Sequence, residues 1–322
     1  MSGILNKKER IFDFIVIGAP KCGTTYTYQI LKEHPRITIS SSKDGIKGGY
    51  FDSNTNQKTR EYIKKISKNT GKVVGEFREG YYMKGPEMAS KLHEHNQNMR
   101  LIVCLRNPYE RAFSAYKHLS LLKEPKGDFL ENKSEYNYIL EKGYFYKYIK
   151  PFFDLFPSKQ ILLLDFEELK NNPEAYRKKL YRFLNIDTNF IPSTEGKQLN
   201  DTRFKGTWLG QFVHNSFIPL VDSVGLGRTI RSSKTARSIL YRVGSFLGKR
   251  LKQKKQNLLS KENFMKKTEK LYDKDISKLE KLTKKQAFWL WKINHVIIKR
   301  VRQWWVVFIT FLNLKNLEKI QV

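Results

Sequence analysis

A chain of 322 residues with 61 Lys and Arg against 31 Asp and Glu carries a net charge of +30, and 40% of it is hydrophobic and 13% aromatic. That apolar content is enough for a sizeable core and excludes a mostly disordered chain. Two cysteines, Cys22 and Cys104, exclude a disulfide framework and a four-cysteine zinc site, and they fit a reducing, cytoplasmic setting.

Residues 11–17 (IFDFIVI) form an apolar, β-branched run that Gly18-Ala19-Pro20 halts, the pattern of a buried strand feeding a loop. A helical pattern then runs from Thr24 to about His34, before Pro35. Further strands are predicted at Lys72–Gly75, Arg100–Leu105 and Gln160–Leu164. Helices are predicted over 58–69, 86–97, 108–122, 144–155 and 173–184, with loops at 44–57 and 120–142. Strands and helices alternating at this spacing argue for parallel βαβ units in a doubly wound α/β sheet with flanking helices. After about residue 200 the strand patterns stop and basic helical stretches follow. The expected organisation is an α/β core over 1–200 and a basic, mostly helical part over 201–322 packed on it.

Gly18-Ala-Pro-Lys21-Cys22-Gly23-Thr24-Thr25 lies between the first strand and the first helix, with the glycine spacing of a nucleotide phosphate loop. Glycines let the backbone curl so that successive N–H groups point inward, and the helix N-terminus adds partial positive charge. The ordinary motif places Lys where this chain has Thr24, and here a lysine stands inside the loop instead, as Lys21.

A second constellation follows the strand Arg100–Leu105 and reads Arg106-Asn-Pro-Tyr-Glu-Arg-Ala-Phe-Ser114-Ala-Tyr116. Arg106 stands at a strand end, where ligands gather in an open α/β sheet. Asn107 suits an N-cap, Pro108 the first helical position, and Glu110 the third position of a capping box. Arg106 and the Ser114 hydroxyl, about two turns into the helix, are spaced to meet one phosphate, a group that suits an arginine fork.

The pair of motifs resembles the sulfotransferases that use 3′-phosphoadenosine 5′-phosphosulfate. Pro20–Thr25 is similar to that family's 5′-phosphosulfate loop, and Arg106 to Tyr116 to its R-[DN]-P-x-x-R-x-x-S-x-Y element, which holds the donor's 3′-phosphate. Shorter similarities occur at Phe166–Leu169 and Phe183–Ile186, and the whole covers residues 11–190. The likeness is nearer to heparan-type and bacterial carbohydrate sulfotransferases than to the cytosolic branch. It implies a P-loop-like fold and sulfuryl transfer to a hydroxyl or amine of a carbohydrate-like acceptor. It also implies a donor site of Lys21, Cys22, Gly23, Thr24, Thr25, Arg106 and Ser114. Arg203 and Lys205, in NDTRFKG, resemble the basic loop that closes over the 3′-phosphate, and Lys43-Asp44 before Tyr50-Phe51 resembles a K-E…F-F segment.

Sulfuryl transfer needs a proton taken from the acceptor and charge stabilised on the leaving phosphate. The sulfuryl group carries less charge than a phosphoryl group, so a metal is not obligatory. Lys21 is the candidate for the leaving oxygen. Glu76, directly after the strand Lys72–Gly75, is expected to emerge at the sheet edge beside the loop. The resemblance makes it the general base, matching the glutamate of G-E-K-[ST]-x-x-Y, whose tyrosine position is also matched. Here Phe77 and Arg78 replace the Lys and Ser/Thr, and Glu79 is the nearest competitor.

Two rival classes fit the sequence less well. A P-loop kinase lacks its lysine at Thr24, and no clear magnesium-binding carboxylate follows a later strand. A nucleic-acid binder drawing on the charge lacks a recognised module. The N-terminus (MSGILNKKER) lacks the apolar core of a signal peptide, and no apolar run reaches the ~18–20 residues of a membrane span. Four of the five tryptophans, Trp289, Trp291, Trp304 and Trp305, lie near the C-terminal end among eight basic residues and one glutamate. A basic helix bearing such aromatics suits the surface of an anionic membrane, so 284–314 is a candidate peripheral contact.

Overall fold

The computed structural model describes residues 11–41, 48–67, 72–120, 133–197 and 259–283. Five parallel strands, β1 (Phe14–Gly18), β2 (Ile37–Ser41), β3 (Val73–Phe77), β4 (Arg100–Leu105) and β5 (Ile161–Asp165), form one sheet in the order β2-β3-β1-β4-β5. All five residues of β1 are buried, as a central strand covered on both faces requires. Its register sets Ile15 beside Glu76 of β3 and Leu101 of β4.

The connecting helices are α1 (Thr24–Glu33), α2 (Gln57–Ser67), α3 (Gly85–His95), α4 (Pro108–Ser120), α5 (Lys133–Glu141), α6 (Phe145–Leu155), α7 (Phe166–Asn171) and α8 (Pro173–Leu184). The chain leaves β1 toward β2 on one side and β4 toward β5 on the other. The neighbouring strands β1 and β4 therefore form the switch point of the sheet, the crevice beyond whose carboxyl ends ligands bind in open α/β folds.

The parallel α/β architecture matches the sequence expectation, with differences of detail, among them the short helix α7, which was not expected. The edge strand β2 was not expected. Its ITISS sequence alternates weakly because Thr38 and Ile39 are only half-buried. Residues 133–141, expected in a loop, are helical: Tyr136 and Ile139 supply a buried stripe one turn apart. The strand β3 extends past Gly75 to Phe77, so Glu76 belongs to it rather than following it.

Beyond residue 200, α9 (Lys261–Lys267) and α10 (Asp273–Thr283) are described. Met1–Ile276 form one compact unit, so the segment 259–276 belongs with the α/β core. Phe264 of α9 lies 5.3 Å from the rings of both Phe113 and Tyr116 on α4. The Leu259 amide donates to the Tyr116 hydroxyl (3.0 Å), and the Tyr109 hydroxyl donates to Asp273 (2.8 Å). Arg203, Lys205, Lys43, Asp44 and the segment 284–314 lie outside the described residues.

Candidate active site

The β1–α1 loop is shaped by two left-handed residues, Lys21 (φ 70°) and Gly23 (φ 85°). Such turns rotate neighbouring amide groups toward one concavity. A side chain on Gly23 has no room either: a Cβ there lies 2.8 Å from Leu169 and 3.0 Å from Phe166 at the start of α7. On the other side, a Cβ on Gly18 meets the Tyr82 ring at 2.6 Å and the Glu79 carbonyl at 3.0 Å. The loop is thus clasped between the β3–α3 connection and α7.

Gly23 also precedes α1, its carbonyl accepting the Tyr26 and Thr27 amides at 3.0 and 3.1 Å. The Cys22 side chain is buried, with its thiol donating to the Pro20 carbonyl at 3.7 Å, and burial pushes the thiol's pKa up. Only the backbone of Cys22 belongs to the loop's lining. Lys21 and Thr25 are half-buried, and Thr24 is nearly covered. The Thr24 hydroxyl donates to Glu79 Oε2 at 2.8 Å.

One strand away, the Ala19 amide donates to the Cys104 carbonyl at 3.0 Å, which binds the start of the loop to the end of β4. Arg106 leaves β4 just beyond this point. Its guanidinium lies 4.4 Å from the Phe166 ring centre, and Nη2 is 3.6 Å from Glu110. Its Nε is buried with no hydrogen-bond partner among the described residues, a buried donor without an acceptor at the end of β4.

Asn107 caps α4 as expected, its side-chain oxygen accepting the Tyr109 and Glu110 amides at 3.0 and 3.2 Å. Glu110 departs from the expected capping box. Its carboxylate faces Arg106 and also takes Lys261 at 2.5 Å, because two cations attract it more strongly than a neutral amide. Lys261 comes from α9, far along the chain, and no local pattern signals it. Ser114 is half-buried, two turns into α4.

Glu76 is completely buried, contrary to the expectation that it emerges at the sheet edge. The cause is the segment after residue 48, which folds over it. The Tyr50 amide donates to Glu76 Oε1 at 2.7 Å and the Tyr81 hydroxyl to Oε2 at 3.1 Å, with Arg78 Nε 3.7 Å from Oε1. Burial raises the Glu76 carboxyl to about 7, partly offset by the Tyr50 amide and the Arg78 charge. The cover is braced by Lys84 on Asp52 (2.7 Å) and by the Phe51 ring against His95 (5.0 Å). The structure therefore brings Lys21, Thr24, Thr25, Glu79 and Arg106 to the crevice and holds Glu76 behind a lid of backbone and phenol.

A family model described as the sulfotransferase domain matches residues 12–207. The chain belongs to that family. Human bifunctional heparan sulfate N-deacetylase/N-sulfotransferase 2 is 25% identical to this sulfotransferase over 221 residues, 62% of this chain and 24% of the relative. The membrane-associated sulfotransferase kil1 of Dictyostelium discoideum is 35% identical over 130 residues, 38% of this chain and 26% of the relative. Human carbohydrate sulfotransferase 15 is 25% identical over 243 residues, 54% of this chain and 43% of the relative. The chain thus spans less than half the length of these relatives. Among the described residues of this sulfotransferase, no helix is long and apolar enough to cross a membrane.

Proposed function

We propose that the protein moves a sulfuryl group from 3′-phosphoadenosine 5′-phosphosulfate to a hydroxyl or amine of a carbohydrate-like acceptor. The observation that carries this reading is the crevice between β1 and β4, with the phosphate loop on one wall and the unpartnered Nε of Arg106 on the other. The relatives' names, heparan sulfate and carbohydrate sulfotransferases among them, support the acceptor class.

In this reading the loop from Lys21 to Thr25 takes the phosphosulfate end, and Arg106 and Ser114 take the 3′-phosphate. Arg203 and Lys205, assigned to the latter by resemblance alone, lie outside the described residues. The acceptor oxygen attacks sulfur in line, the bond from sulfur to the phosphate oxygen breaks, and negative charge collects on the departing bisphosphate. Lys21 and the loop amides stabilise that charge as it develops, which favours the transition state over the bound donor. Glu76 accepts the acceptor's proton. A carboxyl near 7 suits this role, since a base works best with a pKa close to the working pH. Its cover over residues 48–51 must open as the acceptor arrives.

The test is a binding screen with adenosine 3′,5′-bisphosphate, Mg²⁺-ATP and single-stranded DNA, read by melting temperature and calorimetry. A ligand held only by the folded state raises its melting temperature. The bisphosphate should do so without metal; stabilisation by Mg²⁺-ATP alone overturns the reading in favour of a kinase.

The printed name of the kil1 relative and the Trp-rich basic stretch 284–314 together support peripheral contact with an anionic membrane as an accompanying property. Sedimentation with anionic vesicles should capture the protein at low salt and release it at high salt. Equal capture by neutral vesicles removes the proposal.

A further inference from the structure

The phosphate loop carries one group at odds with an anionic ligand. Thr24, the first residue of α1, gives its hydroxyl proton to Glu79 Oε2 at 2.8 Å. Among the described residues no lysine or arginine lies within ion-pair distance of that carboxylate, which stands beside the loop on the Thr24 hydroxyl. Glu79 is held there by its backbone as well, because its carbonyl abuts Gly18 at the end of β1. Glu76, three residues earlier, has both oxygens occupied and lies out of the crevice. The two glutamates thus occupy different places and call for different explanations.

We infer that Glu79 sets the affinity of the site for the 5′-phosphate of donor and product alike, by occupying the Thr24 hydroxyl when the site is empty and opposing the phosphate when it is filled. The inference rests on the donor reading above. A phosphate entering the loop meets a hydroxyl already engaged and a like charge within a few ångströms. Binding requires the Thr24 proton to turn from carboxylate to phosphate and Glu79 to withdraw. After transfer the same repulsion favours departure of the bisphosphate, and Glu79 recaptures Thr24. A site built only to grip phosphate has no use for a carboxylate here. One that must release a doubly phosphorylated product on every turnover does.

The alternative is a plain structural tie between the β3–α3 connection and α1. Calorimetric titration of wild type, Glu79→Gln and Glu79→Ala with adenosine 3′,5′-bisphosphate separates the two. Gln keeps shape and an acceptor for Thr24 while removing the charge; Ala removes both. Repulsion predicts that both variants bind roughly tenfold tighter, the order expected for a like charge removed at close range. The gain should shrink as salt rises. It should vanish for adenosine 3′-monophosphate, which lacks the 5′-phosphate. Unchanged affinity with Gln and weaker binding with Ala means a structural tie and overturns the inference. Loss of turnover in Glu79→Gln at unchanged bisphosphate affinity overturns it too, making Glu79 the base. If wild type and both variants fail to bind the bisphosphate, the donor reading itself falls and takes this inference with it.

Discussion

Glu76 shows how far one side chain's chemistry is set by residues distant in sequence. Its carboxyl is raised from the ordinary 4.5 to about 7, chiefly by burial. The native state therefore holds a proton between about pH 4.5 and 7 that the unfolded chain has lost, so stability falls as pH rises through that window. The full effect is on the order of 3 kcal/mol. Glu76→Gln should flatten this part of the stability-against-pH curve, measured by urea unfolding at pH 5 and 8. If Glu76 is the base as proposed, turnover in the wild type should rise with pH through about 7, as its carboxyl ionises. Glu76→Gln should lose roughly 10²–10⁴ in turnover while keeping bisphosphate affinity. A variant that keeps both its rate and its pH profile moves the base elsewhere.

The residues legible from sequence were those whose roles are local. Gly18, Gly23 and Lys21 announce a loop through their spacing, and Asn107 caps the helix it adjoins. What sequence could not reveal was the cover on Glu76. Its donors are a backbone amide 26 residues upstream and the Tyr81 phenol, and a backbone amide has no residue signature. The bond between Glu79 and Thr24, 55 residues apart, was equally out of reach.

At the level of elements, long buried strands read clearly and marginal ones did not. β4 appears with its predicted bounds because six consecutive apolar-rich residues feed a sharp stop at Asn107-Pro108. β2 escaped because an edge strand needs only one well-covered face. α5 was hidden by the polar residues in its KSEYNYILE sequence, Tyr136 and Ile139 being its buried anchors. One glycine in β3 has a testable packing role. A Cβ on Gly75 lies 2.2 Å from the tip of the Phe14 ring on β1, so Phe14 can fill this space only because Gly75 has no side chain. Gly75→Ala should cost about 1–3 kcal/mol through overpacking, read as a lower denaturant midpoint. Pairing it with Phe14→Leu should recover part of that loss; no recovery places the strain elsewhere.

For the whole molecule, residues 259–276 join the core through contacts that no local pattern signals. α6 begins without a side-chain cap of its own. Asp275 supplies one from far along the chain, accepting the Tyr146 and Lys147 amides at 2.9 and 3.1 Å. Asp275→Ala should destabilise the protein by about 0.5–2 kcal/mol, the usual cost of a lost helix cap, seen in thermal unfolding. An unchanged melting temperature means that water replaces the carboxylate fully.

The attachment of residues 259–276 to α4 also bears on how the protein is made. A ribosome delivers the phosphate loop, Arg106 and all five strands long before it delivers Phe264 and Tyr272. The Tyr272 hydroxyl closes onto the Leu140 carbonyl across 132 residues, and its phenol adjoins the fully buried Arg111. Until that stretch emerges, the nascent chain carries Phe113 and Tyr116 without the Phe264 ring that packs on them, and Arg111 without its phenolic neighbour. Translation that stalls between residues 200 and 258 therefore leaves an aromatic, cationic face open on an otherwise folded core, the kind of surface that chaperones hold and that self-associates when they do not.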